Sequence, residues 1–595
     1  MNPETAHHSA ERPTALGHFF GAIAARKRVF IEAVIATIAV NAVGLATSMY
    51  SMTVYDRVIP TSGFSTLWVL TVGVALAILM ELVMKQTRMV VVDRACKAID
   101  LELSDLFFGR ALRMRMDKRP RSIGTFAAQV RMFETVRNFL TATTLFVLAD
   151  LPFALVFVFV IWLIAGPVAL VPLALIPVSI LTGLIFIRPV RRLTVANVAE
   201  SNFKNGLLIE SIDGAETIKA LGAEPLFIGR WNALSEKIAE GELKLKSLSG
   251  MSSNLTQLIQ QLSYVGMIAV GVYVIATNNL TMGGLIACSI ISGRALQPFA
   301  QIASLLVQWE HSKAALKGLE AIVAAPVDGE LPEGKPVLPE TCRNEVRLAT
   351  VKFAYEPKRE VIDIAELILR PGDRIALIGP IGSGKSTLLK LLSGLYHPNE
   401  GRVFLDGVDM AHLDARFLRA QVHYLPQDAR LFNGTVRDNL IFGMRDPGDE
   451  VILNACRASG LDRFLSQHPR GLNMPISEGG QGLSGGQRQL VALTRLMLVR
   501  RGIVLLDEPT ASIDGPMEDQ VAAALIGAMR PEDVLVMVTH KSSLMRYANR
   551  VIVMDRGRQV LDGPRDAVLA QLTQKPAAAA PSQGSNPGQA QAQTH

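Results

Sequence analysis

From Leu151 to Ile187 the chain carries no Asp, Glu, Lys or Arg. A helix rises about 1.5 Å per residue, so roughly 20 apolar residues cross the ~30 Å hydrocarbon core of a bilayer. The block is about twice that length, and Gly166-Pro167 near its middle is a turn signal. It predicts a hairpin of two membrane helices. The same rule applied elsewhere gives one crossing at Ala33–Tyr55 and another at Thr61–Met80. Ser247–Gly293 fits two more, with Asn278-Asn279 and Gly283-Gly284 marking the turn. The expected total is six. Composition agrees: 49% of residues are hydrophobic, 19% are charged, and mean hydropathy is +0.29. Soluble domains usually carry about 25% charge. At 595 residues the chain needs two or three domains.

The connections alternate in character. Those near Asp56-Arg57, Gly166-Pro167 and Asn279 are short and poor in Lys and Arg. Those at 86–144 and 188–246 are long and basic, and the first includes Arg110, Arg113, Arg115, Lys118, Arg119 and Arg121. Basic loops stay in the cytoplasm, which places both long loops and both termini there. The net charge of +7 lies mostly in these loops, so it sets orientation, and no nucleic-acid partner is expected. The stretches Ala95–Met116 and Val195–Leu208 have few helix breakers and recurring apolar positions, so helices are expected to extend well beyond the bilayer. The segment 1–28 reads as largely polar. The apolar run after it lacks a small-residue cleavage site and is expected to be retained as a helix. His7-His8 reads as a solvated pair.

Cys96, Cys288, Cys342 and Cys456 are widely separated, so neither a zinc site nor a disulfide framework is indicated. Asp150 and Arg294 interrupt apolar stretches at what should be similar depth. Such charges are rare within membranes. They read either as a pair lining a translocation path, or as a structural salt bridge or an arginine reaching for the interface. If they pair, the swapped double variant Asp150→Arg, Arg294→Asp recovers some of the lost transport.

Beyond Gln308 the chain turns polar, through a helical stretch and a Pro-rich segment around Pro326–Pro339. From Glu345 on, short β-type runs alternate with helical patterns, which suggests a largely parallel sheet covered by helices. There Gly379-Pro380-Ile381-Gly382-Ser383-Gly384-Lys385-Ser386-Thr387 follows the β-type run Arg374–Ile378 and opens a helical run. Glycines let backbone N–H groups turn inward around a phosphate, reinforced by the helix N-terminus. Lys385 is suited to the β- and γ-phosphates, and the Ser386 hydroxyl to Mg²⁺. By composition alone the pattern arises in about 2% of chains this long. Ile503–Leu506 is an apolar strand run ending in Asp507-Glu508. Asp507 is expected to hold Mg²⁺ through water, and Glu508 to polarise the attacking water.

With these motifs and Leu483-Ser484-Gly485-Gly486-Gln487 between them, the sequence resembles the ATP-binding cassette family over nearly its whole length. The resemblance implies a multi-domain membrane protein: an all-α six-helix transmembrane domain joined to an α/β P-loop ATPase domain. Gln427 matches the family's Q-loop, which also contacts the metal, and His540 its switch histidine. Asp514, in Ala511-Ser-Ile-Asp514, matches the D-loop, where many members have Ser-Ala-Leu-Asp. Tyr355 sits where the family places an aromatic that stacks on adenine. One complete motif set per chain implies a homodimer, with Ser484, Gly485, Gly486 and Gln487 of one subunit completing the ATP site of the other. Regions resembling the docking helices of such exporters fall at Ser122–Met132 and Glu210–Thr217.

Shorter stretches resemble the type I protein-secretion subfamily: Tyr55-Asp-Arg-Val-Ile-Pro60, Ala149-Asp-Leu-Pro-Phe153, Ser292-Gly-Arg-Ala295, Gly214–Glu224 and Ile476–Gly480. That implies ATP-driven export of an unfolded polypeptide with a C-terminal signal across the bacterial inner membrane, with a periplasmic adaptor and an outer-membrane tunnel protein as partners. The alternative is a lipid or hydrophobic small-molecule exporter of the same architecture. Many relatives carry an N-terminal peptidase-like domain. About 28 residues precede the first membrane helix, with no Cys before Cys96, so leader-peptide cleavage is not expected. The reading divides the chain into a short N-terminal segment 1–28, a transmembrane domain 29–310, a linker 311–344, a cassette 345–574 and a disordered tail 575–595.

Overall fold

The computed structural model describes residues 14–120, 122–145, 151–277, 280–331, 335–356, 359–499 and 502–574. Asp150, the Asn278-Asn279 turn signal, His7-His8 and the tail 575–595 lie outside the described residues. Two compact units emerge. The first holds the chain to Met114 and Arg119–Pro326; the second holds Arg115–Lys118 and the chain from Val327.

The first unit is helical. In chain order it contains α1 (Ala15–Ala25), α2 (Lys27–Thr53), α3 (Phe64–Arg113), α4 (Ile123–Arg131), α5 (Phe133–Leu145) and α6 (Leu151–Ala165). It continues with α7 (Leu170–Asp213), α8 (Ala215–Ala220), α9 (Glu224–Ala276), α10 (Met282–Ala300) and α11 (Ile302–Ala324). Helices thus occupy all six expected crossings. By length and hydropathy, Lys27–Thr61, Phe64–Arg113, Leu151–Asp213 and Glu224–Ala276 are apolar enough to span a membrane. The third of these is the expected hairpin, broken by a 3₁₀ turn at Gly166–Ala169 where Gly166 takes φ +53°. Along α3, Trp68 is 71% and Leu76 62% exposed. Such a surface is stable in lipid and a liability in water. The protein is a multi-pass membrane protein.

At several places the structure refines or corrects the local readings. The polar N-terminal segment contains α1, an apolar helix whose Phe19 is fully buried against Phe107, ring centroids 5.8 Å apart. Thr14 caps it, and Arg26 fastens its end to α3 through the Ala98 carbonyl and Glu102. The helical stretch expected beyond Gln308 runs to Ala324, inside the segment 311–344 read as linker, because Ala315, Leu319, Ile322 and Val323 bury themselves in the same cluster as Phe19. Gly283-Gly284 is not the turn. Both residues sit in the first turn of α10, which Thr281 caps. A Cβ on Gly283 would stand 2.4 Å from the Met52 carbonyl oxygen, so the glycine permits close approach of two helices. The tip of the first long loop is a 3₁₀ turn at Met116–Lys118, upstream of the expected Ser122–Met132, which is mostly α4. The tip of the second is α8, overlapping the end of the expected Glu210–Thr217.

The second unit is α/β. Its strands are β1 (Val346–Ala354), β2 (Glu360–Leu369), β3 (Arg374–Ile378), β4 (Glu400–Leu405), β5 (Val408–Asp409) and β6 (Val422–Leu425). Then come β7 (Gly434–Thr435), β8 (Pro475–Ile476), β9 (Ile503–Asp507), β10 (Val534–Val538), β11 (Arg550–Asp555) and β12 (Arg558–Pro564). The main sheet has the order β12-β11-β3-β10-β9-β6, parallel except for the β11-β12 hairpin. β9 and β10 are buried at every position, as strands covered on both faces must be. A second sheet, β2-β1-β4-β5, is wholly antiparallel. Alternation of apolar runs did not separate it from the parallel sheet. One core packs Val346, Ile362, Leu377 and Leu389 together, joining both sheets to the helix after β3.

Candidate functional site

Ladder register aligns the carboxyl ends of the central strands. Leu377 pairs with Val538, Val538 with Asp507, and Leu506 with Leu425. The loops after β3, β10, β9 and β6 therefore leave the sheet at one edge, where open α/β sheets bind ligands. Those four loops carry Gly379–Gly384, His540, Glu508 and Gln427.

The first loop is shaped for a phosphate. Gly382 and Gly384 take φ +81° and +96°, which a side chain would strain. A Cβ on Gly384 would also stand 2.8 Å from Ile362 Cδ1. Ile381 at the loop's tip is fully exposed, while Ser383 is buried with its hydroxyl unpartnered among the described residues. α12 (Lys385–Leu392) follows, so its first N–H groups face the loop. Lys385 is 8% exposed and donates from Nζ to the carbonyls of Gly379, at 2.8 Å, and Pro380, at 3.0 Å. Burial pushes its ammonium pKa down, and the charges of Glu508 and Asp507 oppose that. The Lys385 amine is thus held over the loop, facing acidic neighbours.

Asp507 is 3% exposed. Burial raises its carboxyl, the Ser386 hydroxyl bound to it lowers it, and the Glu508 charge raises it further. Tyr424 approaches it at 3.5 Å, and its phenol is pushed up by burial and by that carboxylate. Ser386, Asp507 and the Gln427 amide supply oxygen atoms, the donor type that Mg²⁺ prefers. These residues fit that ion.

Glu508 has φ +46°, in the left-handed region where non-glycine residues are uncommon. Its N–H donates to the Val538 carbonyl at 3.0 Å, and its carbonyl accepts from Gln489 Nε2 at 3.0 Å. The turn is pinned from both sides. Its carboxylate accepts from Gln427 Nε2 at 2.9 Å, so two residues the sequence assigned separately are joined. His540 is exposed on the loop after β10, two residues beyond Val538, and makes no hydrogen bond to Glu508 among the described residues. Tyr355 is 48% exposed; its hydroxyl is 3.0 Å from Thr387 Oγ1, and its ring meets Phe353 and Tyr396 edge-on.

Ser484 caps α13 (Gly485–Leu498). Its hydroxyl accepts from the Gln487 N–H, and Gln487 reaches back to the Ser484 N–H. This capping box leaves Ser484 exposed. Gly486 has no room for a side chain, since a Cβ would lie 2.6 Å from the Ser512 carbonyl oxygen. Asp514 precedes α14 (Gly515–Gly527) and is exposed. Among the described residues no hydrogen bond joins the Ser484 box to the phosphate loop. Gln489, which sequence reasoning passed over, is 4% exposed and ties the signature helix to Glu508 and to the Ser512 N–H. Its signal was available: a polar residue at a helix position that faces the core.

A family profile described as ABC transporter matches residues 362–511, and one described as ABC transporter transmembrane region matches 30–298. The chain is 31% identical over 557 residues to the Toxin RTX-I translocation ATP-binding protein of Actinobacillus pleuropneumoniae, covering 93% of this chain and 78% of the relative. It is equally identical, over 556 residues, to the Leukotoxin translocation ATP-binding protein LktB of Mannheimia haemolytica, with the same coverage. Among solved structures, a bacterial Atm1-family ABC exporter with ATP bound aligns with TM-score 0.80 over 93% of this chain and 99% of that one. Identity to it is 21%, so that likeness speaks for the fold.

Proposed function

The chain belongs to the ABC transporter family, with the transmembrane region and the ATPase domain in one polypeptide, and from that premise we propose that it is a type I secretion exporter of the bacterial inner membrane. Its cargo is an unfolded polypeptide with a C-terminal signal. Its partners are a second copy of itself, a periplasmic adaptor and an outer-membrane tunnel protein. The relatives named for toxin translocation support the cargo class.

The observation that carries the chemistry is the Glu508–Gln427 hydrogen bond at the carboxyl edge, beside a loop built for phosphate. ATP lies with its phosphates in the loop 379–387 and Lys385 on their outer oxygens. The Tyr355 ring packs on adenine. Ser386, Asp507 and Gln427 would hold Mg²⁺, which would supply positive charge against the phosphate oxygens. Glu508 accepts a hydrogen bond from water and orients the water oxygen toward the γ-phosphorus. That oxygen bonds to phosphorus as the bond to the β-γ bridging oxygen breaks, and the water's proton leaves toward Glu508 and ends on the products, giving ADP and inorganic phosphate. His540 steadies the γ-phosphate from the neighbouring loop. Ser484, Gly485, Gly486 and Gln487, with Asp514, complete the site of the partner subunit, since each capping box stands apart from its own phosphate loop. ATP then joins two cassettes, and its cleavage lets them separate.

Glu508→Gln is expected to lower ATP turnover at least ~100-fold while nucleotide still binds, and to trap an ATP-bound dimer. Turnover and size-exclusion mass, measured on the purified chain in lipid, check this. Normal turnover in the variant would remove Glu508 from its role. For the cargo, stimulation of turnover by unfolded polypeptide is expected; stimulation by lipid or hydrophobic amines instead would favour a different exporter class.

A further inference from the structure

Within the membrane unit, α2, α3, α6 and α10 enclose a cavity of about 350 Å³ whose lining is mostly charged or polar. Arg294 contributes from α10, Glu81, Lys85 and Arg88 from α3, and Asn41 from α2. At about 1.5 Å per residue, Arg294 lies ~18 Å along α10 from Met282, and Lys85 and Arg88 lie ~32–36 Å along α3 from Phe64. The cavity therefore runs from within the bilayer to its border on the side away from the short hairpin turns.

Its charges do not balance. Glu81 pairs with Lys85 at 2.6 Å. Arg88 donates to a neutral partner, Thr37 Oγ1, at 3.0 Å. Arg294 makes no ion pair among the described residues, and its guanidinium lies across the backbone of Gly44, where a Cβ would stand 1.9 Å from Nη1. Two guanidinium charges thus face one cavity without carboxylate partners from the described residues, Arg294 within the bilayer and Arg88 at its cytoplasmic border. Charge placed there is costly unless an opposite charge joins it.

We propose that this cavity is an anion subsite that receives carboxylate side chains of the transported polypeptide, with Arg294 and Arg88 as their partners. Neutral Asn41 and Gln297 beside them suit the amide groups of an extended peptide. A lipid headgroup would instead need an apolar flank for its chains, and of the cavity's lining residues only Val40, Phe157 and Pro298 are apolar. The inference rests on the polypeptide-export reading and adds which side chains the path selects.

The test uses the full chain in nanodiscs of zwitterionic lipid. The probes are a labelled, unstructured Gly-Ser peptide with spaced Asp residues and its counterpart with Asn in their place. Fluorescence anisotropy is expected to show the acidic peptide bound about tenfold tighter at low salt, with the preference fading as salt rises. Arg294→Gln should remove most of that preference, and Arg294→Lys should keep most of it. Gly44→Ala, which displaces the guanidinium without removing charge, should reduce it. Equal binding of the two peptides, or an unchanged preference in Arg294→Gln, overturns the subsite and leaves the export reading standing. Loss of the preference on adding phosphatidylglycerol assigns the cavity to a headgroup and also overturns it. Binding of neither peptide counts against both the subsite and polypeptide export.

Discussion

Glu518, in α14, is 4% exposed, and Lys541, next to His540, donates to it at 2.8 Å and to the Thr510 carbonyl at 2.7 Å. The pair fastens the His540 loop to the helix that follows Asp514. Burial alone would push the Glu518 carboxyl up, but hydrogen bonds from Lys541 and Ser543, with the ammonium charge, hold it below the usual range. A carboxyl held low in the folded state stabilises above its ordinary pKa, and that contribution is lost as pH falls through the lowered value. Glu518→Gln is therefore expected to cost about 1–2 kcal/mol near neutral pH. A fully buried pair would cost about 3–5 kcal/mol, but Lys541 keeps 38% exposure. The gap in Tm between wild type and variant should narrow in acid; a gap that stays constant would deny the pair its charge. Motifs made the residues proposed to meet nucleotide legible because each needs a fixed type at a fixed spacing. Glu518, Lys541 and Gln489 belong to no such pattern in one sequence, and their work shows only once the chain is folded.

At the scale of elements, the union of α2 with α10 turns on Asp56. It lies in a π-helical turn, Val54–Val58, that extends α2. Its carboxylate accepts from the Gly283 N–H at 2.8 Å and from Thr281 Oγ1 at 2.6 Å, which caps α10 from across the bundle. Asp56→Ala is expected to cost about 1–2 kcal/mol through the lost charge-assisted cap. Gly283→Ala should cost more, because its Cβ meets the Met52 carbonyl, a backbone atom that cannot swing away. Thermal unfolding in detergent orders the two; an unaffected Gly283→Ala would mean the helices do not approach this closely. The six crossings were readable because a bilayer demands a length and a lack of charge. The role of Gly283 was not. A glycine pair reads as a turn from sequence, and only the neighbouring helix shows that it marks contact. The antiparallel sheet β2-β1-β4-β5 escaped for a related reason, since period and composition carry no record of which strand a run pairs with.

At the scale of the molecule, the question is whether each ATP site draws its signature residues from its own chain or from the other copy. Two inactivating changes answer it by their arrangement. Lys385→Ala spoils the phosphate loop, and Ser484→Arg spoils the capping box at α13, whose exposed Ser484 tolerates a large side chain without disturbing its own core. Place both changes on one chain and pair it with a wild-type chain. If sites are shared, one site then loses its loop and the other its signature, so neither is whole. Place one change on each chain, and both defects fall in a single site while the other stays complete. The split pair should therefore hydrolyse ATP at least several-fold faster than the pair carrying both changes on one chain. Sites built within one chain give the opposite order, because the untouched chain keeps a whole site only when its partner takes both lesions. Purifying each mixed dimer through two different tags and measuring turnover decides between them. The opposite order would mean that the copies do not share sites, and ATP would then have no means of drawing two cassettes together.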